Sequence, residues 1–387
     1  MDQLFVNLKH WLVDFAPLGW QPLVSALISV AAIVGVFATL FAITTILERK
    51  GLGRIQNRYG PNRVGPFGVF QPVADGLKAM TKEDIVPRAA DKVVHFIAPL
   101  VLVMPVFLAL AVVPVGRNMV AVDLDGGILF FFAVGAATEL SVFMAGWSSR
   151  NKYSLLGAMR AIAQMISYEV PLILSAVTVI MIVGSLSTTK IVDAQAGFSG
   201  WLPNWFVLTP WGLAGFILFM IAAAAESNRS PFDLPEGESE IIAGYYIEYS
   251  GFKFALFFLG EYIGLFAVSG LAITLFLGGW RAPLPFLTWI PSYIWFFAKL
   301  FGLIALFIWV RGTLPRLRMD QLMNFAWKFM LPMALVNLLA AGVWHFMEPG
   351  FARWAVCLLI VLGPYVMLGR SLSEHKQFGK RIYRYAE

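Results

Sequence analysis

The amino-acid sequence predicts an all-α polytopic membrane protein with about nine transmembrane helices. Of its 387 residues, 59% are hydrophobic and only 13% are charged, and the mean hydropathy is +0.74, whereas a soluble domain carries about 25% charged residues. A chain this apolar cannot cover a soluble surface with polar groups, so its surface must face lipid. We therefore expect a single membrane domain over residues 1–387.

Nine apolar runs have the length of a transmembrane helix, about 17 to 25 residues. Tryptophans lie near many of their ends, as in an interfacial aromatic belt. The residues before the first run include Lys9 and Asp14 and contain no convincing cleavage site, which predicts a short amphipathic helix that is retained. No strand pattern or internal repeat is visible. The predicted spans are 22–47, 95–116, 126–147, 163–185, 210–225, 254–278, 287–310, 329–347 and 354–369.

Basic residues concentrate in alternate connections between the spans. If the connection after the first span is inside, the inner segments hold 23 Lys and Arg residues and the outer segments hold 5. The positive-inside rule then places the N-terminus outside and the C-terminus in the cytoplasm. The net charge of +6 follows from this topology, and nucleic-acid binding is not needed to account for it.

The composition excludes several kinds of redox centre on this chain. Cys357 is the single cysteine, which excludes a disulfide framework, a thiolate zinc site and an iron–sulfur cluster with its roughly four cysteine ligands. The four scattered histidines offer no paired haem ligation, and neither a GxGxxG fingerprint nor a GxxxxGK phosphate loop is present. Any electrons handled here must come from another chain.

The first inner connection, residues 48–92, is rich in glycine and proline, which predicts a structured, turn-rich loop. After Pro72, apolar residues recur at helical spacing, which predicts a helix over 72–82 on the membrane surface. Topology and contact with lipid headgroups are enough to explain the arginines of this loop from composition alone.

The third inner connection, residues 226–253, is acidic where the positive-inside rule predicts bases. Asp233 and Glu236 have the spacing of a capping box for a helix through Tyr249, with Pro235 in its first turn. Capping does not explain the remaining acidic residues of this loop, which include Glu238, Glu240 and Glu248.

Four charged residues lie within the predicted spans, namely Glu139, Glu169, Glu261 and Lys299. A charge near the bilayer centre costs about 2.5 to 3.5 kcal/mol on insertion scales, so we expect all four to face the bundle interior. At about 1.5 Å per residue they lie roughly 9 to 16 Å from the inner helix ends, and we expect them to open toward the acidic loop. Such a set is typical of a hydrated proton relay, and paired structural ions are the alternative.

Four long stretches resemble a known family. These are ERKGLGRIQNRYGPNRVG (48–65), GWSSRNKYSLLGAMRAIAQMISYEV (146–170), ESNRSPFDLPEGESE (226–240) and RGTLPRLRMDQLM (311–323). Together, and in this order, they resemble the H subunit of bacterial respiratory complex I, the proton-translocating NADH:quinone oxidoreductase. The mitochondrial counterpart is subunit 1 of NADH dehydrogenase. The resemblance covers about residues 22–347.

This resemblance implies a membrane subunit at the junction with the hydrophilic arm, in the bacterial cytoplasmic (inner) membrane. Other membrane and hydrophilic-arm subunits would be its partners, and those partners would hold the FMN and the iron–sulfur clusters. Quinone, either ubiquinone or menaquinone, would be the substrate, and we expect no metal and no covalently bound cofactor on this chain. The last span and the basic tail, residues 354–387, lie beyond the family's shortest form and receive no chemistry.

The resemblance also assigns site residues, motif by motif. Arg49, Arg58 and Arg63 would belong to the quinone-binding loop beside the chamber, with Glu48 adjacent, and Phe258 would lie near the channel for the quinone tail. The charged path between the chamber and the proton-pumping modules would comprise Glu139, Glu169, Glu226, Arg229, Asp233, Glu236, Glu238, Glu240, Glu248 and Glu261, and Lys299 joins this set because of its depth in the membrane.

A physical hypothesis of mechanism accompanies these assignments. The first span, the helix over 72–82 and the sixth span would enclose an apolar slot that admits the quinone tail from lipid. Charge on the reduced quinone would be felt by the acidic loop and passed to the buried carboxylates.

Three other functions stay open at this point. A stand-alone ion or solute carrier also buries charges, although the paired interrupted segments typical of carriers are absent from the sequence. The equivalent subunit of an energy-converting hydrogenase, or of a dehydrogenase with another donor, is possible because the donor binds to a partner. A structural anchor would not explain buried carboxylates.

Overall fold

The computed structural model describes residues 3–233 and 244–373, with side chains up to Arg370. Within these residues the fold is almost entirely helical, as predicted, and the exception is one short antiparallel pair, β1 (Phe198–Ser199) and β2 (Leu202–Pro203). Glu236, Glu238 and Glu240, which were assigned to the charged path, lie outside the described residues, and so does the basic tail from residue 374 onward.

The described residues form fourteen α-helices. In chain order they are α1 (Leu4–Asp14), α2 (Gln21–Ile55), α3 (Gln71–Thr81), α4 (Lys92–Leu110), α5 (Gly127–Gly135), α6 (Ala137–Ser148), α7 (Lys152–Val183), α8 (Thr188–Ala194), α9 (Pro210–Glu226), α10 (Gly251–Phe276), α11 (Ser292–Thr313), α12 (Met319–Phe325), α13 (Leu331–Phe346) and α14 (Phe351–Ser373). A π-helical turn, Ala326–Met330, joins α12 to α13.

Eight helical segments of the described chain are long and apolar enough to cross a membrane. They are α2, α4, the α5–α6 pair, α7, α10, α11, the α12–α13 pair and α14. The one remaining predicted span, 210–225, corresponds to α9, which is apolar but has only 17 residues. This length is close to the lower limit of about 17 residues for a spanning helix. The predicted helices over 72–82 and before the first span are confirmed as α3 and α1.

Two helices are much longer than the spans predicted for them. The 35 residues of α2 and the 32 residues of α7 correspond to roughly 50 Å each at 1.5 Å per residue, which exceeds the roughly 30 Å hydrocarbon core. The first inner loop was predicted to begin at residue 48, but the helix continues to Ile55. Gly53 is accommodated there because a Cβ atom would lie 3.0 Å from Gly60 N, so the returning chain packs directly on the helix.

Local sequence signals set several helix ends. The Asp91 carboxylate accepts hydrogen bonds from the backbone N–H groups of Val93 and Val94 and begins α4. The Asn151 side chain begins α7 in the same way. Gly184, with φ of 70°, ends α7 in the left-handed conformation that glycine adopts without strain.

The connections gather on two opposite faces of the helical bundle. On one face, Lys253 forms an ion pair with Asp84 at 2.7 Å, and the Ser250 hydroxyl donates to the Glu83 carbonyl at 3.2 Å. This face holds the connections predicted to be inside and is called the inner face below. The connections predicted to be outside meet on the other face, the outer face.

The core lies around α10, the most deeply buried span. Ile263, Phe266, Leu271 and Ile273 on this helix are fully buried. By contrast, most of the surface of α2 and α14 is exposed in the chain by itself, which leaves these helices available to lipid or to other subunits. The central position of α10 brings its polar residues into contact with several neighbouring helices.

The helix predicted from Asp233 through Tyr249 does not reach Tyr249. The described residues after the gap form only a short 3-10 helix, Gly244–Tyr246, and a turn that leads into α10. Tyr245, Tyr246 and Tyr249 are all buried against Phe257. Burial of these three aromatic rings against Phe257 explains why residues 244–250 do not continue as an α-helix.

Candidate functional site

A cavity of about 650 Å³ lies at the inner face, between α2, α3 and α10. These are the three elements predicted to enclose an apolar slot. Its apolar lining includes Phe41 and Leu52 of α2, Ala79 of α3, and Phe254 and Phe258 of α10. We call it the inner cavity. Phe258, assigned to the chamber by the resemblance, is therefore part of its wall.

A charged cluster forms the polar part of the inner cavity. We call Glu48, Arg229, Tyr262 and Arg311 the Glu48 cluster, and all four line the cavity. The Glu48 carboxylate accepts hydrogen bonds from the Tyr262 hydroxyl and the Arg311 guanidinium, and it lies 3.5 Å from Arg229 Nη1. The Arg229 guanidinium also stacks on the Tyr262 ring, 3.9 Å from its centroid.

Burial makes this cluster interdependent. Glu48 is 5% exposed and Arg229 is 9% exposed, so neither charge has water to replace a lost partner. Burial alone would lower the pKa of Arg229, but Tyr262 and the carboxylates of Glu48 and Glu261 hold that pKa above its usual value. Arg229 is therefore a permanent cation at this end of the cavity.

The loop that carries Arg229 is fixed by Gln164 of α7. The fully buried Gln164 side chain donates from Nε2 to the carbonyl oxygens of Ala225 and Phe232, at 2.7 Å each. The loop between these residues turns through Asn228, whose φ is 49°. Because the Gln164 amide holds both ends of the loop, α7 fixes the position of Arg229.

Two ion pairs connect α3 to its neighbours across the cavity. Arg49 of α2 contacts Asp75 of α3 at 2.6 Å, and both residues line the cavity. The Lys253–Asp84 pair described above joins α10 to the segment that follows α3. As a result α3 covers the inner cavity and is held on both sides.

The remaining chamber residues do not meet at this cavity. Arg58 donates to the Gln56 side chain at 2.7 Å and is exposed, and Arg63 is also exposed. Neither residue lines the inner cavity. Their loop packs against the end of α2 at Gly53 and presents Tyr59 with 96% of its surface exposed.

Glu261 lies one residue before Tyr262 and faces a second, smaller cavity. Its carboxylate accepts hydrogen bonds from the hydroxyls of Tyr245, at 3.2 Å, and Tyr246. The second cavity has a volume of about 70 Å³ and is otherwise mostly apolar, with Glu226 as its other acidic residue. We call it the small cavity.

Glu226, Glu169 and Glu139 form an acidic group beyond the small cavity. The carboxyl groups of Glu139 and Glu169 share a hydrogen bond, and the charges of both act on Glu226. Within the described part of the chain, Glu226 Oε2 is buried without a hydrogen-bond partner. The structure therefore brings together three carboxylates from α6, α7 and α9 that are far apart in sequence.

The two described acidic residues of the third inner connection have structural partners. Asp233 forms an ion pair with Arg316 at 2.9 Å, and Glu248 accepts a hydrogen bond from Asn151 at 2.7 Å. Leu317 N also donates to the Pro231 carbonyl at 3.1 Å. These contacts fix the connection to the start of α7 and to the segment after α11.

Lys299 corrects one prediction. It was expected to open toward the acidic loop, but its ammonium group donates to the carbonyl oxygens of Leu277, Gly279 and Arg281 at 2.7 to 2.8 Å. These carbonyls follow the outer end of α10, so Lys299 points to the opposite face. A cation is stable there because the carbonyl groups at a helix C-terminus carry partial negative charge. These contacts have the geometry of a helix C-terminal cap.

Sequence reasoning missed Tyr262, Arg311 and Gln164. Tyr262 lies four residues after Phe258, which places both side chains on one face of α10, and this spacing was the available signal. Arg311 was counted only as a topological base. Gln164 carries no charge, and nothing in its local sequence distinguishes it from a core amide.

Tyr249 completes the wall of the inner cavity. Its ring stacks on His95 with centroids 4.0 Å apart, and its hydroxyl lies 3.3 Å from the Ser148 hydroxyl. Burial raises the pKa of Tyr249 to about 12, so the phenol stays protonated at neutral pH and remains a hydrogen-bond donor.

Comparison with known proteins agrees with this architecture. A family described as NADH dehydrogenase matches residues 28–342. The H subunit of NADH-quinone oxidoreductase from Dehalococcoides mccartyi (strain CBDB1) is 54% identical over 292 residues, which cover 76% of this chain and 79% of the relative. The H subunits of the same enzyme from Geobacillus kaustophilus and Polaromonas naphthalenivorans are each 44% identical, over 88% and 92% of this chain and 100% and 99% of their own lengths. The chain therefore belongs to the NADH dehydrogenase family.

Proposed function

We propose that this chain is the membrane subunit of a proton-translocating NADH:quinone oxidoreductase that admits quinone through the inner cavity. The observation that carries the proposal is the combination of an apolar wall with the buried Glu48 cluster in one cavity. A quinone has an apolar tail and a polar head, and these two kinds of lining match its two parts. The volume of about 650 Å³ lies within the range of about 300 to 1,000 Å³ that is usual for small-molecule sites.

The polar residues of the cavity suit a head group that gains charge. Reduction of a quinone to a quinol consumes two electrons and two protons. A quinone that has received electrons before protons is anionic, and Arg229 and Arg311 supply positive charge close to that species.

A path for charge leads from the inner cavity into the membrane domain. Arg229 feels the charges of both Glu48 and Glu261. Glu261 and Glu226 both line the small cavity, and Glu226 feels the charges of Glu169 and Glu139. A change of charge at the quinone would therefore alter the protonation of each carboxylate in turn, because interacting sites titrate together. Asp233 and Glu248 hold the described part of the acidic loop in place through Arg316 and Asn151.

The electrons come from other subunits in this proposal. The chain is a multi-pass membrane protein of a multisubunit assembly, and the composition of the chain offers no ligands for an iron–sulfur cluster. FMN and the iron–sulfur clusters would belong to the hydrophilic arm. The cytoplasmic membrane of a bacterium is the location that fits the bacterial relatives.

Narrowing the inner cavity tests the proposal. The complex, purified with all its subunits and reconstituted in nanodiscs, would be assayed for NADH oxidation with a long-tailed quinone and with a soluble acceptor that takes electrons from the hydrophilic arm. Ala255→Trp, on the cavity wall, should lower quinone turnover about tenfold or more, equivalent to about 1.4 kcal/mol in the transition state. Turnover with the soluble acceptor should not change, since that reaction bypasses the cavity.

Phe252→Trp is the matched control. Phe252 is on the same helix, 48% exposed, and outside the cavity lining. It should leave both activities unchanged. Equal quinone turnover in the two variants, with an assembled complex in each case, would contradict entry through the inner cavity.

A further inference from the structure

A separate polar cavity of about 730 Å³ lies on the outer face. Three outer connections build it, namely those between α4 and α5, around α8 and β1, and between α10 and α11. It is far from the inner cavity, because these connections follow the opposite ends of the same helices. We call it the outer cavity. Neither the proposed quinone reaction nor the charged path uses it.

The outer cavity has a rigid framework. The buried side chain of Gln195, on its lining, donates to the Thr274 and Leu275 carbonyls and accepts from Gly278 N at 2.9 Å. On another side, Ser292 Oγ accepts the Arg117 backbone N–H at 3.0 Å. Since the connections are tied to the helix ends in this way, the cavity does not depend on a ligand for its shape.

The position of the cavity corresponds to the depth of lipid headgroups. Its walls follow the outer ends of α4 and α10 and the first residues of α11. The same connections expose large aromatic side chains, among them Trp289 at 79% and Trp201 at 74%. Tryptophan is enriched where a membrane protein meets the headgroup layer. The cavity therefore opens in the layer occupied by phosphate and amine groups.

The lining of the outer cavity contains both charged side chains and an uncharged hydrogen-bond donor. Arg281 is already neutralised by Asp193 at 2.7 Å. In the described residues Arg117 forms no ion pair within 4.0 Å, and Trp295 Nε1 is buried without a hydrogen-bond acceptor. The backbone N–H of Arg117 donates to Ser292 Oγ, and Trp295 lies about one helical turn after Ser292, so residues 117 and 295 border the same part of the cavity.

An acidic group lies across the same cavity. Asp123, from the connection after α4, accepts a hydrogen bond from the Thr189 hydroxyl at 3.1 Å, and both residues line the cavity. This carboxylate has no cationic partner within 4.0 Å in the part of the chain that the structure describes. The lining thus offers a cation with an N–H donor on one side and a carboxylate on another.

We propose that the outer cavity binds the headgroup of a zwitterionic phospholipid of the phosphatidylethanolamine type. Arg117 and the Trp295 N–H bind its phosphate, and Asp123 binds its ammonium group. A bidentate or charge-assisted contact of this kind is the usual recognition of phosphate by arginine. An anionic headgroup without an amine would leave Asp123 unpaired beside a second negative charge, so the site selects the zwitterion.

Photocrosslinking tests this site in the intact complex. The complex would be placed in nanodiscs that contain a photoactivatable phosphatidylethanolamine, and labelled peptides would be located by mass spectrometry. Labelling should fall on residues 117–123 and 280–295. Arg117→Gln and Asp123→Asn should each reduce it about tenfold, the effect of losing one hydrogen bond to a charged group. Lys190→Gln is the matched control, since Lys190 is paired with Asp125 on the same face and does not line the cavity.

Two further measurements separate the possible ligands. A photoactivatable phosphatidylglycerol should label these peptides much less, and millimolar inorganic phosphate should not displace the phosphatidylethanolamine probe. Quinone turnover verifies that each variant has assembled. The proposal is overturned if the variants are labelled as strongly as the control, if phosphatidylglycerol labels equally well, or if inorganic phosphate alone competes.

Discussion

Replacing Glu48 by glutamine is the sharpest test of the Glu48 cluster. The substitution keeps the shape of the side chain but removes the carboxylate charge that Arg229, Arg311 and Tyr262 contact. At the 3.5 Å separation of Arg229 and Glu48, a charge pair at an effective dielectric constant of about 20 is worth roughly 5 kcal/mol. Removing one partner of a buried pair costs about 3 to 5 kcal/mol by measurement, which agrees with this figure.

We expect Glu48→Gln to displace Arg229 and to lower quinone turnover at least about a hundredfold, which corresponds to about 2.7 kcal/mol of the lost interaction. The assay is NADH oxidation by the purified complex with a long-tailed quinone, and the soluble-acceptor reaction again reports on the hydrophilic arm. Native gel electrophoresis would verify that the subunits remain together.

A second substitution distinguishes charge imbalance from simple loss of a contact. Glu48→Gln combined with Arg311→Met restores the net charge of the cluster, so it should recover part of the turnover lost in the single variant. Turnover close to wild type in Glu48→Gln alone would refute the reasoning. It would show that Arg229 and Arg311 tolerate the loss of their shared carboxylate partner. No recovery in the double variant would refute the electrostatic explanation.

Three further substitutions have distinct expected results. Gly264→Val should fill the small cavity, where a Cβ would meet its nearest neighbour only at 3.9 Å, and should lower proton translocation per electron in proteoliposomes, whereas Gly302→Val on α11 should not. Gln164→Glu removes the amide that holds both ends of the Arg229 loop, so it should raise the KM for quinone, and an unchanged KM would contradict this role of Gln164. Lys299→Met leaves three carbonyls without their cation and should cost about 1 to 3 kcal/mol of stability, seen as earlier thermal inactivation, with normal quinone turnover before heating. A large loss of turnover would instead support the assignment of Lys299 to the charged path.

The spans and the two groups of connections were predictable, because the length of an apolar run and the number of basic residues beside it are properties of one segment of sequence. The inner cavity was predictable in outline, since α2, α3 and α10 carry the motifs that indicated it. Lys299 was placed wrongly because depth along a helix does not specify the direction of a long side chain, and its ammonium group bonds to carbonyls beyond the outer end of α10. Arg58 and Arg63 lie in the loop that was assigned to the quinone chamber, but neither residue lines the inner cavity. Their positions depend on the path of the loop, which the sequence does not specify.

The missed residues have a common physical cause. Tyr262 and Arg311 matter through contacts with Glu48, which lies 214 and 263 positions away in sequence. Gln164 matters through the carbonyls of residues 61 and 68 positions away. Periodicity and composition report on one segment at a time, so partners at such separations are visible only when the helices are packed together.

The last turn of α11 and the segment after it link two parts of the molecule that have been described separately. Arg311 bonds to Glu48 at the inner cavity, and Arg316 bonds to Asp233 in the third inner connection. Gly312 lies between them, and a Cβ there would come within 2.8 Å of Ile55 on α2. Arg311 and Arg316 are five positions apart in the chain, so a displacement of Glu48 would reach Asp233 through a short stretch of backbone, without any intervening proton.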